Sequence, residues 1–239
     1  MKKYACLTKK VYDQTLEMMV NGKITPGEKL TFIDLAKRFT VSRTPINNAL
    51  SLLAQDGYLD FAPNRGYSMH KLTTKEANHL REIQEVLEVG FIGQAITNMD
   101  EIGKLKLLLC KDAYAQAISN CKDRKLFLLD IEFHAAIFDL ADNPAFSNGY
   151  RHICRKLFLY LPEKQLELKV IRDMRGAQDN LYRALCNKDV EHARKLLILR
   201  QTFLDDSCRD HSTRFDRFEE PLAGSSHNRQ QSFHNSLVF

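Results

Sequence analysis

The chain has 239 residues, of which 44% are hydrophobic and 27% charged, and its formal net charge is +5. This composition is typical of one large or two small globular domains, and the chain has no apolar run long enough to span a membrane. The N-terminus lacks the apolar core of a signal peptide, which argues against secretion and predicts a cytoplasmic protein. None of the six cysteines is paired as Cys-x-x-Cys, so we interpret them as free buried thiols.

The positive charge is concentrated in the first 71 residues, which hold 11 Lys and Arg against 6 Asp and Glu. Residues 72–239 hold 24 of each sign. A basic module joined to a neutral one favours a polyanion as the partner of the first module.

The first module contains three predicted helices followed by a hairpin. Apolar periodicity predicts a helix near 7–21, a short second helix with Ile33, Leu35, Ala36 and Phe39 as its apolar residues, and a third from about Arg43 to Asp56 with Ser42 as its cap. Residues 58–61 and 67–70 alternate like two strands around a turn that carries Arg65 and Gly66. This order is typical of a winged helix-turn-helix, which binds DNA. The alternative is a small α+β module without a nucleic-acid partner.

The rest of the chain is predicted to be almost entirely helical up to residue 204, with segments near 74–98, 101–119, 123–141, 144–161, 168–187 and 189–204. Thr74 is the expected cap of the first of these helices. The apolar line of the second helix consists of Ile102, Leu105, Leu108, Leu109, Tyr114 and Ile118. We therefore predict a mainly α fold with a winged helix-turn-helix domain (1–71), an all-helical bundle (72–204), and a polar tail (205–239).

Several motifs in the first module resemble the GntR family of bacterial transcription regulators: Gly22-x-x-x-Pro26-Gly27-x-x-Leu30, Val41-Ser42-Arg43-Thr44-Pro45-Ile46, Ala49-Leu50, Asp56-Gly57 and Arg65-Gly66. The helical remainder resembles the effector domain of the FadR branch, the FCD type, through Asp130-Ile131-Glu132-Phe133-His134 and the following Asn143-Pro144. This resemblance implies a dimeric DNA-binding regulator and not an enzyme. Whether it represses or activates is left open.

The resemblance places the N-terminal residues of the third helix in the major groove of DNA: Ser42, Arg43, Thr44 and Asn47. Arg43 is the expected base reader, because a guanidinium fork matches guanine O6 and N7, while Ser42 and Thr44 suit phosphates. Arg65 and Gly66 at the wing tip suit the minor groove. The family has Arg-Glu where this chain has Asn47-Asn48. Asn47 can still pair with adenine N6 and N7, so we expect either a different operator or a lower affinity.

The FCD branch often binds a divalent metal with one Asp and three His. Asp130 and His134 match two of these ligands, whereas Gln178 and Arg200 occupy the other two places. Arginine has no lone pair to donate, so we expect neither a metal nor another cofactor. Asp173, Asp179 or His152 could complete a metal site if the register of the alignment slipped by one turn.

Arg200 has two open roles in this site: it could pair with Asp130, or it could bind the carboxylate of an acidic effector. Gln84 stands where the branch often has an arginine, and completes the expected effector site of Asp130, His134, Gln178 and Arg200. A satisfied polar network without any ligand is a further alternative.

We expect a homodimer that binds an operator in double-stranded DNA and responds to a small acidic metabolite. The other hypotheses are a metal-sensing regulator that uses Asp130 and His134, or a hydrolytic enzyme.

Overall fold

The computed structural model describes residues 2–119, 125–161 and 167–200. The chain is mainly helical with one small antiparallel sheet near the N-terminus, which confirms the predicted fold class. The predicted tail, 205–239, lies outside the described residues, and the domain limits at 71 and 204 stay predictions. None of the helices in the three described ranges is both long and apolar enough to cross a membrane.

The N-terminal module contains three helices and three short strands: α1 (Lys2–Val20), β1 (Lys29–Leu30), α2 (Phe32–Phe39), α3 (Arg43–Gln55), β2 (Leu59–Ala62) and β3 (Gly66–Met69). Strand β3 lies in the middle of the sheet and pairs antiparallel with both others. The sequence predicted a two-stranded hairpin, because a strand as short as β1 shows no alternating pattern. The additional pairing of β1 attaches the segment after α1 to the wing formed by β2 and β3.

One side of α3 is buried, and this fixes which side faces outward. Ile46, Ala49, Leu50 and Leu53 are almost completely inaccessible, and α1 packs against α3. The predicted N-cap residue of α3 is correct, but the expected capping hydrogen bond is not formed within the described residues. Ser42 is the N-cap residue in an extended conformation, but its side chain forms no capping hydrogen bond with the described part of the chain.

The helical part contains α4 (Thr74–Asn98), α5 (Glu101–Ile118), α6 (Lys125–Asp139), α7 (Pro144–Tyr160), α8 (Leu168–Cys186) and a last helix, α9, described from 190 to 200. The predicted cap of α4 is wrong by one residue. Thr73, not Thr74, accepts a hydrogen bond from the backbone N–H of Glu76, and the Glu76 side chain accepts one from the backbone N–H of Thr73. This reciprocal capping box needs the glutamate three residues after the cap, which only Thr73 has.

The face that α5 turns toward the bundle differs from most of the prediction. Ile102, Leu105 and Leu109 are 57–64% exposed, and Leu108 is 38% exposed. Tyr114 is fully buried as predicted, and so is Leu107, which is not part of the predicted line. Because α5 carries apolar residues on two sides, periodicity alone could not tell which side meets α6 and α8. The predicted apolar line therefore lies largely on the surface of the described chain.

The prediction that the cysteines are buried is also mostly wrong. Of the four described cysteines, all of which are free thiols, only Cys154 is buried. Cys6 is exposed, and Cys110 and Cys186 are half-buried, because each lies at the edge of a helix face that contacts solvent. Cys121 and Cys208 lie outside the described residues.

Candidate functional site

The start of α3 presents four polar side chains to solvent. Ser42, Arg43, Thr44 and Asn47 are all exposed, on the side opposite the buried face of the helix. The sequence grouped these residues as DNA contacts, and the fold brings them together on one accessible surface. Ser42, Arg43 and Thr44 lie at the N-terminus of α3, where the first backbone N–H groups of a helix have no intrahelical acceptor and suit a phosphate, and Asn47 lies one turn after Arg43.

Arg43 lies against an aromatic ring that the sequence reasoning missed. Its guanidinium carbon is 5.3 Å from the centroid of the Phe32 ring, on the first turn of α2. The two residues are eleven positions apart and belong to different helices. Only the general packing of α2 against α3 could have indicated that they meet.

The wing tip is accessible, as the sequence predicted. Arg65 is exposed, and the neighbouring Gly66 has a φ of +78°. That backbone conformation is strained for a residue with a side chain, so the turn explains the glycine directly. Phe61, on β2, is 60% exposed and its ring lies 4.9 Å from that of Tyr67 on β3.

A second cluster of polar residues is buried among the helices of the C-terminal part. Asp130 and His134 lie on one face of α6 and are 3% and 1% exposed. The Gln178 side chain on α8 donates a hydrogen bond of 2.8 Å to Asp130 Oδ1, and His134 Nε2 is 3.7 Å from the same oxygen. The structure therefore brings together three of the residues that the sequence selected.

Arg200, from α9, joins this cluster through two carboxylates. Its Nη2 donates to Asp130 Oδ2 at 2.6 Å, and its Nη1 donates to Glu88 Oε1 at 3.2 Å. Of the two roles left open for Arg200, the structure shows the pairing with Asp130. The guanidinium thus supplies a fixed positive charge inside the helical bundle.

Glu88 is a member of the cluster that the sequence reasoning did not select. It is fully buried on α4, and its Oε1 also accepts hydrogen bonds from Tyr150 at 2.6 Å and from Gln84 at 3.1 Å. Gln84 is therefore in the network, as predicted. The spacing of Gln84 and Glu88, four residues on one helix, was a usable signal, but nothing in the sequence indicated Tyr150.

Burial and charge set the protonation of the cluster. Burial alone would raise the pKa of Asp130, but the guanidinium of Arg200, with smaller contributions from His134 and Gln178, holds it below its usual value. Burial, assisted by Arg200, lowers the pKa of His134 to about 4. His134 is therefore neutral at pH 7 and cannot act as a fixed positive charge for an anion.

This donor set does not fit a divalent metal. The guanidinium of Arg200 already occupies one side of Asp130, and the described residues contain no group of three His, Cys, Asp or Glu that could hold an ion. The three substitutes also lie elsewhere: Asp179 pairs with Lys111 at 2.6 Å, His152 contacts Tyr58, and Asp173 is exposed. A cation beside Arg200 would be repelled.

A cavity of about 50 Å³ adjoins the cluster. Its polar lining includes Arg81, Gln84, Asp130 and Arg200, and its other walls are mostly apolar side chains of α6 and α7. Arg81 was missed by the sequence reasoning, although it lies three residues before Gln84 and so on the same side of α4. His134 contacts Asp130 without lining the cavity.

The helix α7 contacts both this cavity and the N-terminal module. Cys154 and Phe158 line the cavity. On another side of α7, Nδ1 of His152 lies 3.1 Å from the Tyr58 hydroxyl, and Nζ of Lys156 lies 5.8 Å from the Tyr58 ring centroid. Burial raises the pKa of Tyr58 to about 12, so its hydroxyl is protonated and can donate to His152.

Comparisons with known proteins agree with these two regions. The family model described as "Bacterial regulatory proteins, gntR family" matches residues 7–68, and the model described as "FCD domain" matches residues 79–200. The chain is similar to the HTH-type transcriptional regulator YdhC of Bacillus subtilis (strain 168), with 32% identity over 143 residues, 59% of this chain and 64% of YdhC. It is also similar to the Nta operon transcriptional regulator of Aminobacter aminovorans, with 28% identity over 142 residues, 59% of this chain and 66% of that protein.

Solved structures share the fold. The structure of E. coli McbR/YncC has a TM-score of 0.69 at 20% identity and matches 85% of this chain and 97% of its own. A GntR-type protein of Rhodococcus sp. RHA1 has a TM-score of 0.73 at 18% identity, with 85% of this chain and 98% of its own matched.

The FCD match alone covers more than half of the chain, so the chain belongs to the gntR family of bacterial regulatory proteins and contains an FCD domain. This confirms the resemblance and the prediction that the protein is not an enzyme. The matched region spans just under two thirds of the length of YdhC and of the Nta operon regulator.

Proposed function

We propose that this member of the gntR family is a homodimeric transcription regulator that binds duplex DNA through α3 and the wing. Its DNA affinity would change when a small carboxylate occupies the cavity of the FCD domain. The observation that carries the DNA-binding part is the exposed first turn of α3. It combines Arg43, Asn47 and the helix N-terminus on one surface of the basic module.

DNA binding is tested by fluorescence anisotropy with a duplex selected by the full chain from a random-sequence library. If about six phosphates are neutralised per dimer, the logarithm of the association constant should fall against the logarithm of salt concentration with a slope near −5. Arg65→Ala should weaken binding to selected and scrambled duplexes alike, because minor-groove arginines read width more than base identity. A flat salt response would contradict DNA binding by this surface.

The effector part of the proposal depends on the two guanidinium groups that line one cavity, those of Arg81 and Arg200. Arg200 is already paired with Asp130 and Glu88, so an incoming carboxylate would compete with them for it. Arg81 also lines the cavity; its Nη1 donates to Asn78 at 3.1 Å and its guanidinium lies over the Tyr160 ring, and it can add charge-assisted hydrogen bonds to a carboxylate. The apolar walls favour an acid with an apolar body over a highly polar one.

The small size of the cavity links binding to a movement. A volume of about 50 Å³ has room for a carboxylate group but not for a whole metabolite, since ligand pockets usually measure hundreds of Å³. Binding therefore has to widen the cavity, and α7 forms one of its walls. Because α7 also contacts Tyr58 through His152 and Lys156, a displacement of α7 would also shift Tyr58, which follows the C-terminal end of α3.

The effector is tested by thermal unfolding of the full chain with carboxylic acids that have apolar bodies, such as benzoate and 3-methylbutanoate, against the matching amides. A ligand at one hundred times its dissociation constant stabilises the folded protein by about 2.7 kcal/mol. Arg81→Gln should abolish this stabilisation, whereas Arg172→Gln, an exposed arginine on α8, should not. Equal stabilisation by the acids and the amides would contradict a carboxylate effector.

A second copy of the chain is the partner expected for such a regulator, since two recognition helices read two half-sites. The exposed apolar residues of α5, Ile102, Leu105 and Leu109, form a surface that a second copy could cover. Leu105→Asp should then convert a dimer to a monomer in light scattering. A dimer of unchanged stability would place the interface on another surface.

A further inference from the structure

The guanidinium group of Arg43 packs against an aromatic ring. Its guanidinium carbon lies over the face of Phe32, 5.3 Å from the ring centroid, within the range of a cation–π contact. Within the described ranges, no ion pair involves Arg43. The ring is therefore the partner that the structure shows for this side chain.

Phe32 is itself well anchored. The ring is partly buried and packs against the hydrophobic core of the N-terminal module. The start of α2 is also fixed, because the Thr31 side chain accepts a hydrogen bond from the backbone N–H of Asp34. The ring on which Arg43 lies is thus fixed in place by the core of the N-terminal module and by the capped start of α2.

The kind of contact matters for recognition. A carboxylate partner would engage the N–H edge of the guanidinium, which is the edge that has to reach guanine O6 and N7. An aromatic ring engages the flat face of the guanidinium and leaves the N–H donors available in the plane. Phe32 therefore restrains the orientation of Arg43 without competing for its hydrogen bonds.

We propose that Phe32 is a positioning residue for DNA recognition, which preorganises Arg43 for base contact without touching the DNA bases itself. This inference rests on the proposed function, in which Arg43 reads a base. Ordering a long side chain before binding lowers the entropy that has to be lost in the complex. The benefit should appear in affinity for the selected sequence and not in non-specific affinity.

The test is a double-mutant cycle on the full chain, with anisotropy measured on the library-selected duplex and on a scrambled duplex of the same length. Phe32→Leu keeps an apolar side chain and removes the ring. It should weaken binding to the selected duplex roughly two- to five-fold, the range of an exposed cation–π contact, and leave binding to the scrambled duplex unchanged. Phe32→Tyr, which keeps the ring, should restore the affinity.

In an Arg43→Ala background, Phe32→Leu should have no further effect, because the partner of the ring is gone. Ile33→Ala is the matched control: it changes an exposed apolar residue on the same turn, and should alter neither affinity. Thermal unfolding of each variant separates recognition from folding.

Two results would overturn the inference: an undiminished effect of Phe32→Leu in the Arg43→Ala background, or failure of Phe32→Tyr to restore binding. Either would leave the DNA-binding proposal intact if Arg43→Ala alone weakens binding to the selected duplex. If Arg43→Ala has no effect by itself, the proposed recognition surface fails and this inference fails with it.

Discussion

The two polar clusters of this molecule differ in how far their hydrogen-bonding capacity is already used. Arg43 at the start of α3 is exposed, and its ring partner leaves its donors available. Arg200 in the FCD domain is almost fully buried and is bound by Asp130 and Glu88. The same residue type therefore keeps its hydrogen-bond donors accessible at the surface in one region and uses them inside the helical bundle in the other.

This difference has an energetic basis. A buried guanidinium needs nearby carboxylates to compensate for the loss of its hydration. An exposed guanidinium remains hydrated, so it has no desolvation cost before a ligand binds. Substitutions in the FCD cluster should therefore act first on stability, and those on α3 should act on DNA affinity.

The largest expected effect comes from breaking the buried pair. Among the described residues, Asp130→Ala leaves Arg200 with only Glu88 as a carboxylate partner, and it should lower the free energy of unfolding by about 3 kcal/mol or more. The matched control is Asp139→Ala on the same helix, which removes a partly exposed pair with Arg151 and should cost under about 1 kcal/mol. Urea unfolding of both variants measures the comparison, and equal losses would contradict it.

The next largest effect is expected for the exposed arginine, Arg43. Arg43→Ala should weaken binding to the selected duplex by about 1–3 kcal/mol and relax sequence preference, because a bidentate contact to guanine is lost. Its free energy of unfolding should remain nearly unchanged, since the side chain is exposed. Anisotropy and urea unfolding on the same preparation give both values. A loss of stability without a loss of sequence preference would show that Arg43 is structural.

The hypothesis that the Arg200 guanidinium takes the place of a metal can be tested by replacing Arg200 with a metal ligand. The unmodified protein should contain no stoichiometric transition metal by elemental analysis. Arg200→His removes the positive charge and adds a ligand beside Asp130 and His134, and should raise zinc affinity at least about 10-fold. One zinc, nickel or manganese per unmodified chain would refute the interpretation that the guanidinium replaces the metal.

The smallest effect concerns the contact between the two regions at His152. Burial, assisted by Lys156, lowers the pKa of His152 in the folded chain, although Asp56 opposes this shift. As the pH falls below about 6.5, the ordinary value for histidine, the unfolded chain takes up a proton at His152 that the folded chain resists. The free energy of unfolding therefore decreases as the pH falls. The decrease should be under about 1 kcal/mol, because His152 is only half-buried.

His152→Gln should flatten that part of the stability profile, measured by urea unfolding between pH 7.5 and 5.5. His79→Gln on α4, an exposed histidine, is the matched control and should leave the profile unchanged. An identical pH profile for the unmodified chain and for His152→Gln would contradict the assignment.

Local sequence patterns predicted most of the helices and the exposed polar residues at the start of α3, because both depend on short-range order. Turn residues, apolar periodicity and the motif from Val41 to Ile46 all lie within a few residues of the features they predict. The same kind of reasoning failed for α5, which has apolar residues on two sides, and for β1, which is recognisable only by its pairing with β3.

The residues of the buried cluster show the limit of the sequence most clearly. Family-like spacing selected Asp130, His134, Gln178 and Arg200, but only the packing of several helices decided that Arg200 pairs with Asp130 and Glu88 at once. The contacts of Arg43 with Phe32 and of His152 with Tyr58 were likewise decided by tertiary structure. The physical reason is that one-dimensional spacing determines which side of a helix a residue occupies, whereas its partner depends on which helix is packed against that side.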